Sequence, residues 1–472
     1  MKRLVINLYI VCLGQMMWAQ NSLSLSFNDA QKLMKQENRS LQISRKNTES
    51  AQSEREKIRA LWFPSLQASG AYVHFSQPIE VRQSFKPYAE SAEKVVRQLL
   101  PNNQLITGWL NQLGNQTLSF PLLPQNISSI GVSAEWILFS GGKRVQAGKI
   151  GDRLVDIAQE AQAETNANQQ ILLAERYFGL NLAEAVVQVR QETVGSLRRH
   201  YHEAVKLEEA GMIDKASRLL VQVNLEEAER SLEAAERDTE VLQEALRTLI
   251  HEEEGCLIQV TSPLFINREL PDKALFIRMM QTANPAINQL RLMKDVEQSR
   301  LRIAQSAYFP NIALFGKQTL YAHGLPSNLA PRTVIGIGFS WNLFDGLARE
   351  QQIRQAKLAG QSLQLGEEKA NEELSVAIDK LYAQLENAQN SVKALKTSIL
   401  LSEELVRMRR KAFAEGMTTS TEVVDAETML ANAQLAKLAA FYEYDVALMN
   451  LLALCGMTET FANYQNNAYE TY

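Results

Sequence analysis

The chain has little histidine or cysteine with which to build chemistry, and past its first nineteen residues it has no apolar run long enough to cross a bilayer as a helix. Five histidines are spread over 472 residues. His200 and His202 stand two apart on a helical stretch and face different directions, while His74, His251 and His323 are isolated, so no shared metal site is expected. Of three cysteines, Cys12 lies in the leader; Cys256 and Cys455 are far apart without metal-ligand spacing, and two buried thiols are expected in preference to a bridge. Ser140-Gly141-Gly142-Lys143 lacks the full phosphate-loop spacing. No catalytic constellation remains, so the chain reads as a non-enzyme with no cofactor. Of 49 basic residues, Lys2 and Arg3 fall in the leader, leaving 47 against 53 acidic ones and no extended basic run, which argues against a nucleic-acid partner. A spanning helix needs ~20 consecutive apolar residues, so any membrane insertion must use strands.

The leader itself has the layout of a secretory signal over 1–19: Lys2 and Arg3, an apolar stretch over 4–13, then Met16, Met17, Trp18 and Ala19, with the mature chain starting at Gln20. Lipidation of Cys12 is the alternative, disfavoured by the branched Val11 and the short apolar run before it.

Self-comparison shows one unit written twice. Trp62-Phe63-Pro64 recurs as Tyr308-Phe309-Pro310, 246 residues downstream, and Asn38 recurs as Asn284. From Trp136 onward the offset falls to 205: Trp136-Ile137-Leu138-Phe139-Ser140-Gly141 recurs as Trp341-Asn342-Leu343-Phe344-Asp345-Gly346, Tyr177 as Tyr382, and Gly211-Met212 as Gly416-Met417. The difference of 41 residues is an insertion in the first copy.

Each copy reads as helix, strand pair, very long helix, turn and long helix. The first repeat spans 20–250, with a helix over 28–61, strands near 62–76 and 130–140 around an insertion at 77–129, and long helices over 143–209 and 215–250. A linker at 251–271 leads to the second repeat over 272–456: a helix over 272–306, strands near 308–322 and 332–345, and long helices over 347–415 and 420–455. A polar tail at 457–472 follows, either unstructured or packed on the helices. Ile335, Ile337, Phe339 and Trp341 alternate with Gly336, Gly338 and Ser340, the period of a strand with one apolar face. Between 143 and 209 there is no proline, and a continuous helix there would extend ~100 Å.

Heptad order follows each turn. Val221, Leu225, Ala228, Leu232, Ala235, Thr239, Leu242, Leu246 and Leu249 keep a 4-3 spacing, matched by Ala426, Leu430, Ala433, Lys437, Ala440, Tyr444, Ala447, Leu451 and Leu454. Alanine at many seam positions implies closely approaching backbones, with Lys437 the one misfit.

Four strands per chain cannot close a conducting barrel, and an open sheet in lipid leaves unpaired edges costing several kcal/mol per group. Association of copies is the physical remedy, and three would supply about twelve strands, although four would also close.

The duplicated unit, the Phe63-Pro64 and Phe309-Pro310 pairs before each first strand, the Phe139-Ser140-Gly141-Gly142 and Phe344-Asp345-Gly346 exits, and the glycine turns together resemble the TolC-like outer-membrane efflux proteins over nearly the whole mature length. The resemblance implies a mainly α fold with membrane β: a homotrimer with a twelve-stranded barrel in the outer membrane of a Gram-negative cell, a long α-helical barrel in the periplasm and a mixed belt around its middle. It implies a passive duct serving a periplasmic adaptor (membrane fusion protein) and an inner-membrane RND or ABC pump. Trp62, Phe63, Pro64, Trp136, Tyr308, Phe309, Pro310 and Trp341 would then mark the barrel rim against outer-membrane lipid. The insertion would lie in the first extracellular loop, with a short helix near 88–100, where it would lid the barrel.

The turns are Ala210-Gly211-Met212-Ile213-Asp214 and Glu415-Gly416-Met417-Thr418-Thr419. Glycine permits the positive φ that ends a helix, and Asp214 and Thr419 suit N-capping of the return helix. The resemblance makes these turns the adaptor-contacting tips, with Met212 and Ile213 exposing apolar area; read alone they are ordinary helical hairpin turns. Glu422 and Asp425 share one helix face and match the family's periplasmic gate, where threefold repetition would gather their carboxylates in a cation-attracting ring. The plainer reading of Thr419-Ser420-Thr421-Glu422 is a capping box. Ser217 and Leu220 occupy the equivalent places in the first copy. Export of small molecules is the leading functional reading, type I protein secretion the second, and a soluble envelope coiled-coil scaffold or adhesin the alternative from another class.

Overall fold

The computed structural model describes residues 22–99, 103–252, 255–325 and 331–472. The signal segment with Cys12, and residues 100–102 of the insertion, lie outside them. Two compact units result. The larger is drawn from Gly151–Glu297, Leu358–Tyr472 and the described part of Met1–Glu54, and the smaller from Arg55–Ile150 and Gln298–Lys357.

In chain order the elements are β1 (Ser22–Leu25), α1 (Phe27–Glu37), α2 (Arg39–Arg59), β2 (Ser65–His74), β3 (Ile79–Ser84), α3 (Lys86–Leu99), α4 (Gln104–Gly114), β4 (Thr117–Leu123) and β5 (Asn126–Ser140). There follow α5 (Lys143–Glu209), α6 (Lys215–Ile250), β6 (Leu257–Val260), β7 (Phe265–Ile266), α7 (Lys273–Ala283), α8 (Pro285–Ser306), β8 (Asn311–His323) and β9 (Thr333–Ser340). The chain ends with α9 (Ala348–Ala414), α10 (Ser420–Leu454), α11 (Phe461–Asn466) and β10 (Glu470–Thr471). Among the described residues no helix is long and apolar enough to cross a membrane.

The first helix of each repeat is broken in two, at Asn38 and at Asn284, where the sequence reading has one continuous helix. Both asparagines are buried in extended backbone. Asn38 Oδ1 accepts from the Leu41 amide at 3.1 Å, and its Nδ2 donates to the Leu249 carbonyl at 3.2 Å. Asn284 repeats this with Ile287 N at 3.1 Å and Leu454 O at 2.9 Å. Each side chain thus caps the restarting helix and satisfies a carbonyl at the end of a long one, which offsets the break.

The core of the larger unit is aromatic. Phe27 stacks on Phe178 with centroids 5.1 Å apart and meets Phe461 at 5.0 Å. Buried Tyr177 donates to the Leu25 carbonyl at 2.7 Å and accepts from the Thr261 and Ser262 amides at 3.0 and 2.8 Å. That hydroxyl holds the ends of β1 and β6, which pair in parallel. The residues after 457 are ordered: Phe461 fills the core and β10 pairs with β7. Lys437, the heptad misfit, donates to Glu470 on β10 at 2.8 Å, so its charge fastens the C-terminal strand instead of breaking the seam.

In the smaller unit β2, β5, β8 and β9 form one antiparallel sheet in that order, with a bulge in β8 at Leu320, opposite Ile130/Gly131, and one in β5 at Leu138. The register puts Leu66 beside Ala134, Trp136 beside Leu314 and Leu314 beside Ile337, so these residues share one face with Ile335 and Phe339. The opposite face carries Gln67, Ser133, Glu135 and Lys317. Both faces are exposed, with Ile335 at 76% and Phe339 at 78%, and among the described residues β2 and β9 each have one unpaired edge. The insertion after β2 forms a β3/β4 ribbon bearing an α3/α4 hairpin.

Candidate functional site

The residues expected at a barrel rim sit where each helix meets the sheet, and in each repeat an arginine outside that expected set joins them. Arg144 places its guanidinium 4.6 Å from the Trp62 ring centre and donates to the Leu138 carbonyl at 2.8 Å. Arg349, its equivalent at the same offset of 205, lies 4.8 Å from the Tyr308 ring centre and donates to the carbonyls of Leu343 at 3.0 Å and Ala307 at 3.3 Å. Trp136 and Trp341 donate their indole N–H to the Trp62 and Tyr308 carbonyls at 2.9 and 3.1 Å. With the contact of Arg144 to the Leu61 carbonyl at 3.5 Å, each site combines a cation–π contact with three main-chain hydrogen bonds that tie a strand exit to a strand start. The Tyr308 hydroxyl donates to Glu350 at 2.9 Å, and that carboxylate pushes the phenol pKa up. Trp62, Phe63, Trp136, Tyr308, Phe309 and Trp341 all remain largely exposed, as does Pro64; Pro310 is half-buried.

The two turns have the same geometry. Gly211 and Gly416 adopt φ of 74° and 70°, and the amides of Met212 and Met417 each donate at 2.8 Å to a carbonyl five residues back, Leu207 and Ala412. Only glycine takes that left-handed conformation without cost. Asp214 and Thr419 cap the return helices, accepting from the amides of Ser217 at 2.9 Å and Glu422 at 3.4 Å. The Ser217 contact holds the Asp214 carboxyl below its ordinary range. Met212 and Met417 are exposed at 58% and 69%. Ile213 is not: it packs half-buried against Ala204 of α5, Val221 of α6, Phe413 of α9 and Val423 of α10, so it is held by all four long helices. Thr418 is half-buried beside it.

Glu422 and Asp425 have different surroundings. Glu422 forms an ion pair with Arg409 on α9, so its carboxylate is drawn to the neighbouring helix and its amide alone completes the cap. Asp425, one turn on, is exposed. Behind them Arg410 bonds buried Glu427 at 2.6 Å and contacts Ser196 on α5, crosslinking three helices. His200, 2% exposed, lies edge-on to Phe413 at 4.6 Å. Burial pushes its pKa down to about 4, the Ser420 backbone opposing and the Arg410 charge reinforcing. Arg409, Arg410 and Glu427 were visible in the sequence only as charges on long helices; their pairing needs the crossing of α5, α9 and α10. Among the described residues no group of acidic, histidine and cysteine side chains is placed to hold a metal.

Comparison with known proteins places this geometry. Residues 276–457 match the family model described as "Outer membrane efflux protein". The Outer membrane protein TolC of Escherichia coli K12 is 24% identical over 196 residues, which is 38% of this chain and 39% of that protein, so the matched part spans about two-fifths of the curated relative. Solved structures extend the likeness over nearly the whole fold. CusC superposes with a TM-score of 0.71 at 16% identity, covering 93% of this chain and 94% of CusC. The open state of the Neisseria gonorrhoeae MtrE outer membrane channel gives 0.67 at 18% identity, with 93% of each chain covered. The chain has the fold of the TolC-like channels CusC and MtrE, mainly helical with a smaller β part.

Proposed function

We propose, with the TolC-like channel fold as the premise, that this protein is the outer-membrane duct of a tripartite export system in a Gram-negative cell. Three copies join their four-stranded sheets edge to edge into one barrel of about twelve strands, and the long helices α5, α6, α9 and α10 form the wall of a periplasmic tunnel. The single observation that carries this reading is the sheet of the smaller unit. One face presents exposed Leu66, Trp136, Ile335, Ile337 and Phe339, the other carries Gln67, Glu135 and Lys317 beside Phe315, and among the described residues both outer strands have an open edge, an arrangement that water penalises and that lipid with neighbouring copies satisfies.

The duct is passive. The tips at Gly211–Asp214 and Gly416–Thr419 receive a periplasmic adaptor, which couples the tunnel to an inner-membrane RND or ABC pump, and Asp425, with Glu422, lies at the narrow periplasmic end. Small molecules are the cargo. Membrane fractionation with native mass measurement tests the reading: a carbonate-resistant trimer is expected, and a carbonate-soluble monomer would replace the duct with an envelope scaffold. Crosslinking from Met417 in cells then identifies the adaptor and with it the pump.

A further inference from the structure

We infer that the described parts of the insertion, residues 79–99 and 103–123, dock on the same parts of neighbouring copies and cap the extracellular end of the duct; this rests on the trimeric reading above. The β3/β4 register puts Val81 opposite Phe120 and Gln83 opposite Leu118 on one face, and Arg82 opposite Ser119 on the other, where Arg82 pairs with Glu80. Val81, Leu118 and Phe120 are nevertheless exposed, at 50%, 46% and 58%. A two-stranded ribbon left with a wet apolar face is marginal in water. The hairpin has the same surplus. α3 and α4 already meet tightly, a Cβ at Gly114 falling 2.9 Å from that of Ala89. Yet Tyr88, Val95 and Leu99 form one stripe on α3, Leu105 and Trp109 another on α4, and all five are exposed. These stripes are additional to what the hairpin needs for itself.

Position and charge select the occupant. The Phe75 amide donates to the Gln125 carbonyl at 2.7 Å, so the β2/β5 pairing extends one residue beyond the strands, and the ribbon begins four residues on, at Ile79. β2 is an outer strand of the sheet, the edge that another copy completes, and the ribbon therefore rises from the seam between copies. An anionic lipid surface would call for a basic excess. Residues 79–123 carry four basic and three acidic side chains, and Arg97 is already paired with Glu93 at 2.6 Å. A nearly neutral, apolar segment repeated around a symmetry axis fits its own copies.

The test places a benzophenone amino acid at Trp109, at Val81 and, as a polar-face control, at Arg82 in the full-length protein in intact cells, with native mass measured in parallel. Covalent dimers and trimers of this chain from Trp109 and Val81, but not from Arg82, are expected. A trimer whose Trp109 label lands on lipid or on a different protein overturns the docking inference alone, whereas a monomer by native mass removes the trimeric reading and this inference with it. Leu105→Glu with Trp109→Glu should keep the trimer and raise single-channel conductance several-fold; an unchanged conductance in an intact trimer overturns the capping role.

Discussion

The guanidinium of Arg349 lies 4.8 Å from the ring centre of Tyr308, so the start of α9 is fastened to the residue that leads into β8, 41 positions earlier. Arg349 is 8% exposed, bonds two carbonyls and pairs with Asp345 at 3.1 Å. Arg144 makes the equivalent contacts from a half-buried position, with Ser140 where the second copy has Asp345. Arg349→Ala should therefore cost about 2–3 kcal/mol and Arg144→Ala about 1 kcal/mol. Comparing the thermal dissociation of the two purified variants checks the order; equal losses would show that burial and the Asp345 pair contribute nothing.

Gly416→Val should assemble normally and fail in export. At φ 70° a β-branched side chain costs roughly 1–2 kcal/mol in backbone strain, and its Cβ would lie 3.7 Å from Met212 Cε, in ordinary contact, so the damage is to the turn and not to packing. Outer-membrane abundance and a drug-susceptibility assay separate the two effects. Unchanged susceptibility at normal abundance would detach this turn from adaptor docking.

How much of this was legible beforehand follows from the ranges of the interactions. The duplication exposed the strands, the long helices and the paired turns, because hydrophobic periodicity and glycine punctuation are local signals. The helix breaks at Asn38 and Asn284 were not legible: both residues stood out as repeat identities, but the carbonyls that justify the breaks lie 211 and 170 residues away. Lys437 looked like a defect for the same reason, its partner Glu470 belonging to a tail with no periodicity of its own. The Glu422–Arg409 pair could not be read from the acidic residues alone, since it depends on which face α9 turns toward α10.

That pair predicts unequal effects of the two variants at the proposed gate. Asp425→Asn should weaken block by divalent or trivalent cations added from the periplasmic side, because it removes an exposed carboxylate with no change to the helix contacts. Glu422→Gln also frees Arg409, and the released guanidinium should reduce cation occupancy further and raise open-state noise. Planar-bilayer recordings of the two variants decide it. Identical records from both would mean that the Arg409 contact does not persist in the assembled channel.

Asp445 makes the core sensitive to alkali. It is fully buried, accepts from the Phe265 amide at 3.3 Å, and burial pushes its pKa well above the carboxylate range. The folded state therefore holds a proton that the unfolded state releases, and stability falls as pH rises from the ordinary carboxylate range toward the raised folded value. Asp445→Asn keeps the acceptor and removes the titration. Its stability relative to the parent should grow steadily with pH, as measured by denaturant midpoints in detergent; a constant offset would refute the assignment.

His200 gives the opposite dependence, at the tip. Its folded pKa of about 4 lies below the usual 6.5, so the unfolded or opened state binds the extra proton. Stability is then complete above pH 6.5 and declines as pH falls toward 4, by about 3 kcal/mol per chain if the site opens only when charged. The strain is local, because His200 packs on Phe413 and the start of α10 at Ser420, directly behind the two turns. Acidification should therefore loosen the tip before the core, seen as faster amide exchange across 200–213 and 413–423 at pH 5 than at pH 7 after correction for the intrinsic rate. His200→Leu fills the same apolar space without a titrating group and should abolish the difference. Retained acid-enhanced exchange in that variant would move the sensor to another group.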